Sequence, residues 1–211
     1  MHRVWRDWAD AWPARRKERQ GVVDDLILAF ALGHLPGADG ATVLDAGCGD
    51  GFYAGALRRA GLTVNGVDTT PALLERARQD HPGVDFVQAD LISLPFSTHH
   101  FDAVFCLTVL EWLPDPLAAL QELKRVARPG APLVLGVLGA GNRTRDLHTA
   151  RFWGESPMNG LLPWELPTLC ERLALRVTAS QGVTREGAIS GGRDAMTRAM
   201  IWLCVAQTPH D

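Results

Sequence analysis

Val43-Leu44-Asp45-Ala46-Gly47-Cys48-Gly49-Asp50-Gly51 is the stretch on which the reading of this chain turns. Short apolar residues run into glycines at every second position, and residues 52–60 then carry a helical pattern that stops at Gly61. A strand, a tight turn and a helix in that order suit a ligand-binding βα junction, because glycine lets the backbone take φ > 0 or touch a ligand. Working outward, residues 62–68 read as a strand. Thr69 or Thr70 caps a helix that starts at Pro71 and runs to about residue 79. Residues 84–89, 101–107 and 133–138 read as further strands, and a helix after Asp115-Pro116 ends at Arg128-Pro129-Gly130. Strands alternating with helices at this spacing predict an α/β fold: a doubly wound, mostly parallel sheet with helices on both faces.

The flanks depart from this rhythm. Residues 22–35 predict a helix before the first strand. Trp5, Trp8 and Trp12 recur on one helical face ahead of Pro13. Those rings either pin a helix to the core or form a lid over a ligand. Residues 139–160 read as a long loop or broken helical excursion. After it come a helix over 163–173, a strand over 174–180 and a last strand over 196–206, the two strands joined by a hairpin-like connection at 186–193. The organisation expected is one domain over 1–211. Within it lie an N-terminal helical lid (1–40), a cofactor-binding core (41–139), a substrate-side excursion (140–165) and a C-terminal helix with strands (166–211).

Composition bounds the partners. The chain has 211 residues, 46% hydrophobic and 21% charged, with a net charge of -3. That balance excludes a whole-protein basic footprint for nucleic acid. No apolar run reaches the ~18–20 residues that span a membrane, and the first residues carry no apolar leader. Cys48, Cys106, Cys170 and Cys204 lie far apart with no metal-ligand spacing. Reduced thiols, a cytoplasmic location, no metal, and a monomer or homodimer are the expectations.

The loop discriminates among ligands. A dinucleotide fingerprint needs G-x-G-x-x-G, and the third glycine would fall at Phe52. A P-loop needs a lysine, which the loop lacks. Asp45 and Asp50 flank the turn and would meet a pyrophosphate with like charge. Asp68, about 20 positions on, can accept from both ribose hydroxyls. Asp90, at the end of the third strand, can accept from an adenine amino group. Acids at three strand ends favour a cationic nucleoside over a phosphate-bearing one, and S-adenosyl-L-methionine is such a nucleoside.

These residues, together with the Leu-Lys-Arg-Val-Ala-Arg-Pro-Gly run at 123–130, resemble class I S-adenosylmethionine-dependent methyltransferases of the small-molecule, ubiquinone/menaquinone type. Ala131 stands where that family has a second glycine. The resemblance covers roughly residues 40–140. It implies a Rossmann-like, seven-stranded sheet with an antiparallel last strand. It also implies that Asp45, Gly47, Cys48 and Gly49 surround the methionine part, and that Asp68 and Thr69 hold the ribose. Asp90 and Leu91 would hold the adenine, with Cys106 and Leu107 lining the cofactor through backbone atoms.

The acceptor is less legible. The Asn/Asp-Pro-Pro-Tyr/Phe signature of amino-group methyltransferases is replaced by Thr108-Val109-Leu110-Glu111-Trp112. Glu111 is a candidate base or orienting group, or else a solvated first-turn acid. Arg143, Arg151 and Trp153 in the excursion, with Trp5 and Trp8, are the candidate acceptor contacts; arginines near rings suit a planar anion. A small-molecule acceptor is expected. A protein or RNA methyltransferase and a non-catalytic S-adenosylmethionine-binding partner are the alternatives.

Overall fold

The computed structural model describes residues 21–37, 40–142, 153 and 158–210; Trp5, Trp8, Trp12, Arg143 and Arg151 lie outside them. The chain opens with α1 (Val22–His34) and then alternates β1 (Thr42–Ala46), α2 (Phe52–Arg59), β2 (Thr63–Asp68), α3 (Pro71–Asp80), β3 (Asp85–Gln88) and β4 (Ala103–Leu107). A single 3₁₀ turn, Leu110–Trp112, precedes α4 (Pro116–Val126) and β5 (Pro132–Leu138). The C-terminal part holds α5 (Glu165–Arg172), β6 (Arg176–Val183), β7 (Ala188–Ile189), α6 (Arg193–Arg198) and β8 (Ile201–Gln207).

The strands form one sheet in the order β3-β2-β1-β4-β5-β8-β6-β7. Pairs from β3 through to β5 are parallel, and β8 lies antiparallel between β5 and β6. The order reverses between β1 and β4, which makes the carboxyl ends of those strands the topological switch point.

Side chains of one buried strand divide between two cores, because successive residues point to opposite faces. In β4, Val104 and Cys106 enter the cluster with Leu120, Leu123 and Trp202. Ala103, Phe105 and Leu107 enter the cluster with Ile27, Phe30 and Leu57. Both faces of the sheet are therefore covered by helices, as the near-continuous apolar strand sequences require. Local signals set the helix ends. Asp115 caps α4 by accepting from the Ala118 amide at 2.9 Å. Gly61, at φ 96°, terminates α2 in the left-handed conformation that glycine adopts cheaply.

Three expectations are corrected in the C-terminal part. The sheet has eight strands rather than seven, since the two-residue β7 adds an edge to β6. The connection over 186–193 is not a bare hairpin. It holds β7 and leads into α6, so Met196 is helical and the last strand begins at Ile201. Gly191, at φ 132°, turns the chain there, and the Thr197 hydroxyl donates to the Arg193 carbonyl within α6. Ala174 takes a left-handed φ of 54° after α5, which delays β6 to Arg176.

Candidate functional site

The glycine loop leaves β1 through three left-handed residues, Gly47 (φ 78°), Gly49 (φ 54°) and Gly51 (φ 79°). A side chain at Gly47 has no room: a Cβ there would lie 2.3 Å from a Val109 γ-carbon. Val109 reaches that position because Thr108, just past β4, also takes a left-handed φ of 53° while its amide donates to the Gly136 carbonyl. A non-glycine residue in that conformation is strained and is held there by its surroundings.

The amides of the loop are committed inside the protein. Gly47 and Cys48 both donate to the Val67 carbonyl, at 2.8 and 2.9 Å, and Gly51 donates to the Cys48 carbonyl at 2.9 Å. Gly49 donates to Asp68 Oδ2 at 3.0 Å, and Asp68 Oδ1 accepts from the Thr70 amide at 2.8 Å. In a phosphate site such amides point at the anion. Here a carboxylate already takes the Gly49 amide, and carbonyls take those of Gly47, Cys48 and Gly51.

The electrostatics follow from this arrangement. Burial, reinforced by the charges of Asp45, Asp68 and Asp50, pushes the Cys48 thiol well above its ordinary range. Cys48 is consequently an unreactive thiol that reports a negative potential around the loop. Burial also raises the Asp68 carboxyl, although the amides of Thr70 and Gly49 pull it back down. Burial, then Glu111 and Asp45, pushes the Cys106 thiol up.

A cavity opens above the loop. Gly47, Cys48 and Gly49 form its base, Asp68 and Thr69 one side, Asp90 and Leu91 another, and Leu107 a third. Eight of the ten residues expected around the cofactor thus converge on one cavity from four separate strand ends. The remaining two do not line it. Asp45 is buried beneath the loop, and Cys106 points into the core opposite.

The wall also holds Asp50, Thr70, Thr108, Val109 and Trp112, to which the sequence assigned no cofactor contact, and Tyr53, Leu73, Ala89 and Leu113, which it did not single out. Tyr53 was the findable one. It is the sole tyrosine and sits in the first turn of the helix that follows the glycine loop. Thr108 and Val109 follow the end of β4, where residues facing a switch-point ligand are expected.

Glu111 is not a solvated acid. It is 0% exposed, its Oε1 accepts from the Leu138 amide at 2.9 Å, and its neighbours Trp112 and Leu113, not Glu111 itself, form the cavity wall. Adjacent to it, the Asn159 side-chain amide donates to the Leu110 and Leu113 carbonyls at 2.7 Å each. The 3₁₀ turn is therefore clamped from two sides. Trp153 is 72% exposed. Among the described residues, no group of three acidic, histidine or cysteine side chains is placed to hold a metal ion. No described helix is long and apolar enough to cross a membrane.

Comparison with known proteins agrees with the geometry. The family described as "Methyltransferase domain" matches residues 44–135. The malonyl-[acyl-carrier protein] O-methyltransferase of Serratia marcescens is 35% identical over 154 residues, covering 72% of this chain and 58% of its own length. The ubiquinone biosynthesis O-methyltransferase of Alkalilimnicola ehrlichii is 32% identical over 146 residues, covering 67% and 58%. This chain spans less than two thirds of the length of both relatives. Among solved structures, an S-adenosylmethionine-dependent methyltransferase from Thermotoga maritima superposes with a TM-score of 0.77 at 16% identity, over 99% of this chain and 100% of that one. One from Aquifex aeolicus gives 0.68 at 21% identity, over 92% and 97%. At those identities the two structures share the fold.

Proposed function

Because residues 44–135 make this chain a member of the methyltransferase domain family, we propose that it binds S-adenosyl-L-methionine in the switch-point cavity and directs its methyl group to a small-molecule acceptor. The observation that carries the proposal is the hydrogen bond from the Gly49 amide to Asp68. It withdraws the loop from phosphate recognition and leaves a negative potential, to which Asp45, Asp50 and Asp68 all contribute. A cationic sulfonium and ammonium are favoured there, and a pyrophosphate is disfavoured.

The residues fit the cofactor. A carboxylate offers about four lone-pair directions, and the two backbone amides on Asp68 use one on each oxygen. The others suit the two ribose hydroxyls, with Thr69 beside them. Asp90 and Leu91, which line the same cavity, suit an adenine amino group and ring face. When bound, S-adenosylmethionine supplies an electrophilic methyl for in-line displacement. The protein contributes alignment: the left-handed turns at Gly47 and Thr108 hold the loop and the Val109 wall against each other. Trp112 and Leu113 present an apolar surface that excludes water.

The relatives' names support an oxygen acceptor, since one is a malonyl-[acyl-carrier protein] and the other a ubiquinone-biosynthesis O-methyltransferase. Arg143 and Arg151 are assigned to acceptor binding on the sequence pattern alone. Calorimetric titration of the full chain with S-adenosylmethionine and, separately, with NAD tests the proposal. Binding of the first without the second is expected. NAD binding without S-adenosylmethionine binding overturns it.

A further inference from the structure

Asp24 is a buried polar group that the methyl-transfer reading leaves unused. It lies in the first turn of α1, is 2% exposed, and sits among Val23, Ile27 and Phe30. Its Oδ1 accepts from the Tyr53 hydroxyl at 2.5 Å. Its Oδ2 is buried and has no hydrogen-bond partner among the described residues. A buried carboxylate oxygen left in that state is destabilising, and in native proteins such an atom usually has a ligand or functional reason.

Tyr53 connects this acid to the cavity. Tyr53 is one of the residues lining the cavity, and its ring packs 5.4 Å from Phe105 on the α1 side. With its hydrogen given to Asp24, the phenolic oxygen can only accept from any further group. A ligand that meets Tyr53 must therefore bring a donor. A carboxylate there would bring none and would face the Asp24 charge in an apolar surround.

We propose that Asp24 and Tyr53 form a dyad that receives the hydroxyl or amine of the methyl acceptor and takes up its proton. The inference rests on the methyl-transfer reading above and specifies its acceptor class as a protonated nucleophile. As the acceptor atom bonds to the methyl carbon, the carbon–sulfur bond breaks and its electron pair stays on sulfur. The acceptor's proton passes to the Tyr53 oxygen, and the Tyr53 proton passes to Asp24 Oδ1. Sulfonium and carboxylate are both neutral afterwards, so no charge is left buried, and Asp24 returns its proton to water when the product leaves. Tyr53 touches the acceptor; Asp24 acts through it and is a positioning residue.

The sole tyrosine makes the test direct. Full-length protein labelled with ¹³Cζ-tyrosine gives one tyrosine ring-carbon resonance, which Tyr53→Phe removes and so assigns. The probes are tyramine, which carries a hydroxyl and an amine, and octanoate, which carries a carboxylate. Each is titrated with and without S-adenosylhomocysteine. Tyramine is expected to shift the resonance and octanoate to leave it in place. Asp24→Asn is expected to weaken tyramine binding at least tenfold while S-adenosylhomocysteine affinity stays within twofold. A purely structural tie between α1 and α2 would lower the melting temperature of both variants without changing the order of the two probes. Absence of a tyramine shift, an equal shift with octanoate, or full tyramine affinity in Asp24→Asn overturns the dyad. Failure of S-adenosylhomocysteine to bind instead overturns the methyl-transfer reading, and the titrations made without it still score the dyad.

Discussion

Replacing Asp68 with asparagine is the most searching single change, because the side chain keeps its shape and loses one capability. In the native chain both carboxylate oxygens accept from backbone amides, Oδ2 from Gly49 and Oδ1 from Thr70. An asparagine has one oxygen and one NH₂. Whichever way it faces, its NH₂ opposes one of those two amides. One hydrogen bond to a charged acceptor is lost, about 1.5–3 kcal/mol, and a donor at the loop is left without its acceptor. For a domain of this size each kcal/mol corresponds to ~2–4 °C of melting temperature, so Asp68→Asn should melt roughly 3–12 °C lower.

The same side chain is assigned to the ribose, so affinity for S-adenosylhomocysteine should fall by about 10- to 150-fold, the same free energy read as a dissociation constant. Differential scanning calorimetry and isothermal titration measure the two effects. Protonation of the native carboxylate should mimic the substitution. Since burial raises the Asp68 carboxyl, the ionised form is complete only above that raised value. Affinity in the unmodified protein should therefore decline on acidification starting above the ordinary carboxylate range, and Asp68→Asn should be flat there. An unchanged dissociation constant in Asp68→Asn, or an identical pH dependence in both proteins, would refute the reasoning.

Three further outcomes are expected. Gly47→Ala places a Cβ 2.3 and 2.9 Å from the two Val109 γ-carbons at φ 78°. It should cost about 1–2 kcal/mol for the left-handed backbone and about 1–3 kcal/mol for overpacking. Adding Val109→Ala in a thermal-unfolding cycle should recover only the second part. Glu111→Ala strips the buried Leu138 amide of its acceptor and should cost about 1–3 kcal/mol in denaturant unfolding, whereas Glu111→Gln keeps the accepting oxygen and should cost less; equal losses would contradict that assignment. Arg143→Ala with Arg151→Ala should raise the acceptor KM and leave S-adenosylhomocysteine affinity unchanged, and steady-state kinetics that do not move would remove both arginines from the acceptor site.

Residues 42–138 were legible because their signals are local. Strand-length apolar runs, Pro71 and Pro116 at helix starts, and Gly61 at a helix end act within a few residues of themselves. The C-terminal third was less legible for the same reason. The helical turn at Arg193–Arg198 and the delayed start of β6 depend on left-handed residues at Gly191 and Ala174, and only the first of these is foreshadowed by its residue type. For Glu111 the residue type left a solvated acid as one alternative, and its burial, decided by what packs over the 3₁₀ turn, removes that alternative.

By itself, then, the amino-acid order determined the alternating α/β architecture, the glycine loop, and the acids that end three neighbouring strands. It did so because strand period, turn chemistry and charge are properties of short segments. Only the tertiary structure decided that Asp68 accepts the Gly49 amide of the loop, that Val109 closes over Gly47, and that Asp24 reaches Tyr53 across 29 positions of sequence. Contacts between distant segments depend on how strands are ordered in the sheet, and no local pattern carries that order.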